Sequence, residues 1–438
     1  MLYSRFLKDR RGGVAPMFAL AIIPVIGFVG ASIDYSRANS IKVGMQSALD
    51  ATSLAMAKLA PTLTPAELQA KTTAYFNALF SHADAKNMTV TPNFTTSGGS
   101  QLTISAATSM DTAFMKLMGY SNLDIKSSST VKWGNTRLRV ALVLDNTGSM
   151  ASAGKMDALK TATNGLLTQL RNAATANGDV YVSIIPFVKD VNVGASNYSA
   201  SWVDWSDWDK NNGSCSKGKD VKNYGSCMLE NGKPEWTPAS HDTWNGCVTD
   251  RGSSNPPTGQ DYDTNADAPN SSASSKFSAE QYGSCPRAVM PLSYNWSSMT
   301  TLVGDMAPAG NTNQAIGLAH GWMSLVGGGP YPAPPAKDPN YTYNQVIILL
   351  TDGLNTQNRW YTDQASIDAR QAMTCANVKA AGITLYTIQV NTGGDPTSAL
   401  LQNCASTSDK FFLVTSSSGI GAIFNQIGTN LARLRISK

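Results

Sequence analysis

Four runs restrict what this chain can fold into: "LRVALVLD" (138–145), "VYVSIIPFV" (180–188), "QVIILLTD" (345–352) and "ITLYTIQV" (383–390). Each is almost continuously apolar and rich in β-branched residues. Such runs are strands buried on both faces, which is the condition of a parallel sheet covered by helices. The intervening segments supply those helices: "GKMDALKTATNGLLTQLRNAA", "NTNQAIGLAHGWMSLV" and "QASIDARQAMTCANVKAA". A last helix over about Ser418 to Leu434 closes the set. Strands alternating with helices predict a doubly wound α/β domain with a mostly parallel sheet, over residues 136–438.

In such a sheet, ligands bind outside the carboxyl ends of the strands. Asp145 ends the first run and is followed at once by Thr147 and Ser149, in "VLDNTGSM". Asp352 ends the third, in "LLTDG". Two carboxylates with two hydroxyls form a hard, all-oxygen set, the donor chemistry of magnesium, calcium or manganese. Taken singly, each stretch is also an ordinary turn, because Asp, Asn, Ser, Thr and Gly favour turns for backbone reasons.

Together they resemble a known family. "DNTGSM" is similar to the D-x-S/T-x-S motif of von Willebrand factor type A domains, the first loop of their metal-ion-dependent adhesion site. "AGNTNQAIGLAHGW" resembles the second loop and gives Thr312; "VIILLTDGLNT" resembles the third and gives Asp352. The resemblance implies a divalent ion, magnesium first with calcium or manganese as alternatives, held by Asp145, Thr147, Ser149, Thr312 and Asp352. It further implies that an acidic group of a protein partner completes the shell. Thr stands at 147 where Ser is common, and the hydroxyl is kept.

The N-terminus bears on compartment. Arg5, Lys8, Arg10 and Arg11 precede "VAPMFALAIIPVIGFVGASI", twenty residues without charge. That length spans a bilayer core of about 30 Å as a helix. A cleaved signal peptide has a shorter apolar region, about 7–15 residues, and a small-x-small site that "GFVGAS" matches poorly. The segment therefore reads as an uncleaved anchor over about 14–33, with the basic flank in the cytoplasm. "RRGGVAPMFAL" followed by "DYSRANSIKVGMQSALDATSLAMA" resembles tight-adherence (Tad) pilus assembly proteins of the TadE/TadG type. Pilin-like members carry a Glu five residues after the Gly at the cleavage point; here the fifth residue after Gly12 is Met17. That departure points to the TadG-like, uncleaved branch.

Residues 1–60 are thus expected to hold the basic flank, the anchor and an Ala-rich helix, and residues 61–135 a small α+β spacer. In the spacer, Thr64, Pro65 and Glu67 form a helix-start pattern. "NMTVTPNF" and "QLTISAATS" read as strands of a hairpin, and "TAFMKLMGY" as a short helix near Gly119. Within 136–438, an insertion over about 192–300 shows little periodicity but holds four cysteines and Trp202, Trp205, Trp208, Trp236, Trp244 and Trp296. Six cysteines allow fifteen pairings in an exported chain. The pairings expected are Cys215–Cys227, Cys247–Cys285 and Cys375–Cys404. No C-x-x-C spacing points to zinc, and the three histidines are scattered. The tryptophans are expected to pack beneath the disulfide-bonded loop, with a recognition surface as the other option.

A net charge of +4 and the lack of a long basic tract argue against nucleic acid. No G-x-S-x-G, H-E-x-x-H or G-x-x-x-x-G-K-[ST] motif occurs, so the chain is not expected to be an enzyme. The resulting expectation is a single-pass bacterial inner-membrane protein, with its N-terminus cytoplasmic and its C-terminal domains periplasmic or extracellular. It would act in Tad/Flp pilus assembly or adhesion. The alternatives are a metal-binding structural or chaperone component of another envelope complex and, less favoured, a metal-dependent hydrolase.

Overall fold

The computed structural model describes residues 14–96, 100–133, 136–216, 224–227, 236–252, 262–339 and 341–436. The basic flank with Arg5, Lys8, Arg10 and Arg11, and the turn at 97–99, lie outside the described residues. The chain divides into two compact units, residues 1–135 and residues 136–437.

The first unit is built on one helix, Val14–Ala57, of 44 residues. Strands β1 (Lys86–Thr95), β2 (Ser100–Asp111) and β3 (Asn122–Trp133) form an antiparallel sheet in the order β1-β2-β3. Ile41, Met45, Leu49 and Met56 on the helix share a core with Phe76, Leu102, Ile104 and Met110. The sheet and the Ala-rich end of the long helix therefore bury one another. Helix Pro65–Leu79 starts as its sequence indicates: the Glu67 amide donates to Thr64 Oγ1 at 3.3 Å, and the Thr64 amide donates to Glu67 Oε2 at 2.9 Å. Gly119, at φ +94°, ends the short 3₁₀ turn Met115–Met118. Among the described residues, one helix is long and apolar enough to cross a membrane, and it is Val14–Ala57 that carries this stretch.

The second unit is mixed α/β. Its strands are β4 (Thr136–Asp145), β5 (Val180–Phe187), β6 (Val191–Asn192), β7 (Val203–Asp204), β8 (Gly213–Cys215), β9 (Trp236–Pro238), β10 (Cys247–Thr249), β11 (Phe277–Glu280), β12 (Met290–Ser293), β13 (Thr342–Thr351), β14 (Thr384–Val390) and β15 (Phe411–Val414). The main sheet runs β15-β14-β13-β4-β5-β6-β10-β11-β7, with β12 also paired to β5. The strands β15, β14, β13, β4 and β5 are mutually parallel. These include the four apolar runs. Alternate residues of β4 serve opposite cores. Leu138, Val140, Leu142 and Leu144 face the side where Leu166 and Leu170 of helix Lys155–Ala173 and Phe424 of helix Gly419–Ile436 pack. Ala141 and Val143 face Ile316 and Leu318 of helix Gln314–Val326 and Val378 of helix Gln364–Ala380.

The insertion does more than sequence periodicity suggests. Its strands β6, β7, β10, β11 and β12 extend the main sheet. They are two to four residues long, too short for alternation to register. All three expected disulfides form: Cys215–Cys227, Cys247–Cys285 and Cys375–Cys404. Trp208 and Trp244 are fully buried, and Trp205 stacks on His241 at 3.8 Å while meeting both tryptophans edge-on. These rings are packing.

Helix Gln314–Val326 approaches the sheet closely because glycines line its contact face. A Cβ on Gly321 would lie 2.4 Å from Val143 Cγ2, and one on Gly317 would lie 2.7 Å from Phe187. Replacing Gly321 by Ala should destabilise the protein by about 1–3 kcal/mol through overpacking, outweighing the roughly 1 kcal/mol gain in helix propensity. Urea denaturation checks the sign; a rise in midpoint would refute the close-packing account.

Candidate metal centre

β4 sits between β5 and β13. The chain leaves β4 for β5 on one side and later returns to β13 on the other, so a topological switch point lies at the carboxyl end of β4. Leu144 pairs with Leu350, which sets Asp145 beside Thr351 and brings Asp352 to the same edge.

Hydrogen bonds connect four of the expected residues. The Thr147 amide donates to Asp145 Oδ1 at 2.7 Å, and Thr351 Oγ1 donates to Asp145 Oδ2 at 2.6 Å. The Thr147 and Ser149 hydroxyls are 3.0 Å apart, and Ser149 Oγ donates to Asp352 Oδ1 at 2.6 Å. Asp145 and Thr147 are buried, whereas Gly148 and Ser149 are exposed. The constellation thus opens to solvent over Ser149.

Thr312 is brought in through its backbone. Its amide donates to Thr356 Oγ1 at 2.8 Å, and its carbonyl accepts from the Thr356 amide at 2.9 Å. The first and second loops are also tied: the Gly148 amide donates to the Gly310 carbonyl at 2.9 Å and the Ala309 amide to the Asn146 carbonyl at 2.8 Å. Gln314 completes the frame, its amide donating to Asn355 Oδ1 and its Nε2 to the Gly353 carbonyl. The three loops therefore hold one another in place by main-chain and side-chain bonds.

The electrostatics favour a cation. Burial first, and then the nearby Asp352 charge, push the Asp145 carboxyl up to about 6, against the opposing bonds from Thr147 and Thr351. A carboxylate whose ionised form is this poorly compensated gains most from a positive ion. The Asp145 and Asp352 carboxylates with the Thr147 and Ser149 hydroxyls make a donor set that suits a hard divalent cation, and Thr312 is tied to the third loop through its backbone.

One member escapes the sequence reading. Lys155 Nζ donates to Asp352 Oδ2, and the lysine side chain is only 7% exposed. Asp352 is thus held between an ammonium and the Ser149 hydroxyl. The sequence does carry a signal: Lys155 is the first residue of helix Lys155–Ala173, the end where the helix dipole disfavours a cation. A lysine there calls for an acidic partner. Thr351, Thr356 and Asn355 were missed because nothing local marks a residue that supports another.

Two family models match the chain. Residues 12–58 match Tad, described as Flp pilus-assembly TadE/G-like. Residues 265–426 match the von Willebrand factor type A domain. The second match contains Thr312 and Asp352, while the loop of Asp145 lies before the insertion and outside it. No curated protein matches. Among solved structures, the pilus adhesin SpaC from Lactobacillus rhamnosus GG is 13% identical, with 81% of this chain and 36% of that chain covered and a TM-score of 0.39. The chain thus spans about a third of that adhesin's length. The vWF domain of the type V pili tip protein Mfa5 from Porphyromonas gingivalis is 9% identical, covering 69% of this chain and 97% of that one, at a TM-score of 0.38. Proximal thread matrix protein 1 from the mussel byssus, with a zinc-occupied MIDAS motif, is 13% identical over 69% of this chain and 47% of that one, at 0.35. By the two family matches, this chain joins a Tad-type, TadE/G-like segment to a von Willebrand factor type A domain.

Proposed function

We propose that this chain is a membrane-anchored component of a Tad-type pilus system, whose A domain grips a protein partner through a divalent cation. Asp145, Thr147, Ser149, Thr312 and Asp352 would hold the ion, and an acidic side chain of the partner would complete its shell. Magnesium suits the oxygen-only set and keeps open positions for such an incoming ligand. The anchor is the uncharged stretch 14–33 of helix Val14–Ala57, with the A domain on the periplasmic or outer side of the inner membrane.

One observation carries the metal reading: three loops, distant in sequence, are bonded together around Asp145 and Asp352 at the switch point of the sheet. The Tad match over residues 12–58 supports the pilus setting. The site works by binding: its carboxylates are bonded to neighbouring hydroxyls, an amide and an ammonium, an arrangement that presents a charge rather than a nucleophile.

Asp145→Ala tests it. A ligand present at a hundred times its dissociation constant stabilises the folded state by about 2.7 kcal/mol. Magnesium at such a level should stabilise the unmodified chain by that amount and leave Asp145→Ala unaffected. Piliation and surface attachment should fall with it. If all three are unchanged in the variant, the metal mechanism is wrong.

A further inference from the structure

The loop between β2 and β3 is anchored to the long helix in an unusual way. Asp34, fully buried on that helix, accepts three backbone amides from the loop: Ala113 at 2.9 Å, Phe114 at 2.8 Å and Met115 at 2.8 Å. The loop also closes on itself, the Thr112 amide donating to the Ser121 carbonyl and the Tyr120 amide to the Met115 carbonyl, both at 3.1 Å. It is a fixed structure. Yet much apolar surface is left uncovered at its tip: Leu117 is 79% exposed, Tyr120 62%, Met118 53% and Phe114 36%.

The direction in which it extends gives the clue. From Asp34 the loop runs back toward the apolar end of the helix. Phe114 covers Gly30, where a Cβ would lie 2.4 Å from the Phe114 Cβ, and Met118 Sδ would sit 3.6 Å from a Cβ on Gly27. Gly27 precedes Asp34 by seven residues, about 10 Å along a helix at 1.5 Å per residue. Both glycines lie within the uncharged stretch 14–33. On the same stretch, Val25, Phe28 and Val29 are more than half exposed. These residues lie on the helix face away from the loop, so at this level the helix is apolar on its far side as well as under the loop tip.

We infer that the tip at Phe114, Leu117, Met118 and Tyr120 inserts into the outer leaflet of the bilayer beside the anchor. This rests on the reading of the stretch 14–33 of helix Val14–Ala57 as a membrane span. Lipid is the occupant because the tip lies level with helix residues that would themselves be in hydrocarbon. A contiguous exposed apolar patch on a rigid element marks an interaction site. Exposed Lys116 suits the headgroup level, where a lysine stem lies along apolar surface while its ammonium reaches phosphate. Tyr120 suits the interface for a similar reason, having an apolar ring and a polar tip.

The test uses the full chain in vesicles of phosphatidylethanolamine and phosphatidylglycerol. Among the described residues no cysteine is free, so a single added thiol can be labelled with an environment-sensitive fluorophore. Labels go on Leu117→Cys, on Phe18→Cys within the apolar stretch, and on Tyr75→Cys, an exposed site on helix Pro65–Leu79. Nitroxide-bearing lipids should quench positions 117 and 18 severalfold and leave 75 unchanged. Quenching at 18 without quenching at 117 overturns the loop inference and leaves the anchor standing. Quenching at neither position overturns the anchor reading as well. If position 117 is shielded from iodide in water but untouched by nitroxide lipid, a protein covers the tip, and the lipid assignment is wrong.

Discussion

Replacing Lys155 by methionine should destabilise the metal-free protein by about 3–5 kcal/mol, the usual cost of removing one partner from a buried ion pair. The same change should tighten divalent-cation binding by about tenfold or more, roughly 1.4 kcal/mol. The opposite signs follow from one geometry. Lys155 Nζ lies on Asp352 Oδ2 with little solvent on either side. Without an ion, this ammonium is the counter-charge beside Asp352, whose own charge, after burial, helps to lift Asp145. With an ion present, the same ammonium repels it. Methionine fills similar space without charge, so the buried carboxylates lose a permanent counter-charge and gain a stronger demand for an exchangeable one. Isothermal titration with magnesium and urea melts with and without the ion separate the two effects. A merely structural lysine would lower stability in both conditions and leave affinity unchanged. Lys155→Arg should restore much of the metal-free stability.

Acid should act through His320. This ring is buried, with Nδ1 2.9 Å from the Tyr331 hydroxyl and its plane near Phe277. Burial, with a smaller contribution from the Arg251 charge, lowers its pKa to about 3 although Asp263 pulls the other way. The unfolded chain protonates near 6.5. Between those values the unfolded state binds a proton that the folded state does not. The stabilisation is therefore complete above pH 6.5 and is lost as pH falls toward 3, at about 1.4 kcal/mol per unit. By pH 4 this amounts to about 3–4 kcal/mol. Asp145 runs in the opposite sense: its folded value, raised to about 6, adds stability as pH drops toward the unfolded value of 3.8. A single acid melt mixes the two. The difference between the unmodified chain and His320→Gln isolates the histidine: the variant should lose one proton's worth of slope between pH 6.5 and 4. Parallel profiles would show that His320 is not the acid-sensitive group.

What could be read from the sequence depended on range. The strands around β4 are apolar on both faces, so their character is visible in any window containing them. The Thr64–Glu67 capping box spans four residues and needs no tertiary information. Asp145 and Asp352 were legible because each ends such a strand, and strand ends in this topology converge. The pairing of Lys155 with Asp352 was not, because that carboxylate lies 197 residues away, although the lysine's place at a helix start asks for one. The short strands of the insertion owe their conformation to a neighbouring edge, since two residues cannot signal a period. The Asp34 clamp is similar: a lone acid after an apolar run looks like the end of a membrane segment, and only the fold shows three amides converging on it.

The unbroken run of helix Val14–Ala57 bears on how this molecule takes mechanical load. One end of the helix is bare and apolar; the other is the floor on which β1, β2 and β3 rest. No linker separates the two. A pull on the three-stranded sheet passes into the apolar end along one helix, whose ladder lacks the bond that Pro24 cannot donate. Asp34 adds a second attachment, so the loop and the helix share the strain. Were the apolar end held in a bilayer, as proposed, the sheet unit would transmit tension as a rigid post does, and that grip, not chain extension, would set where it yields.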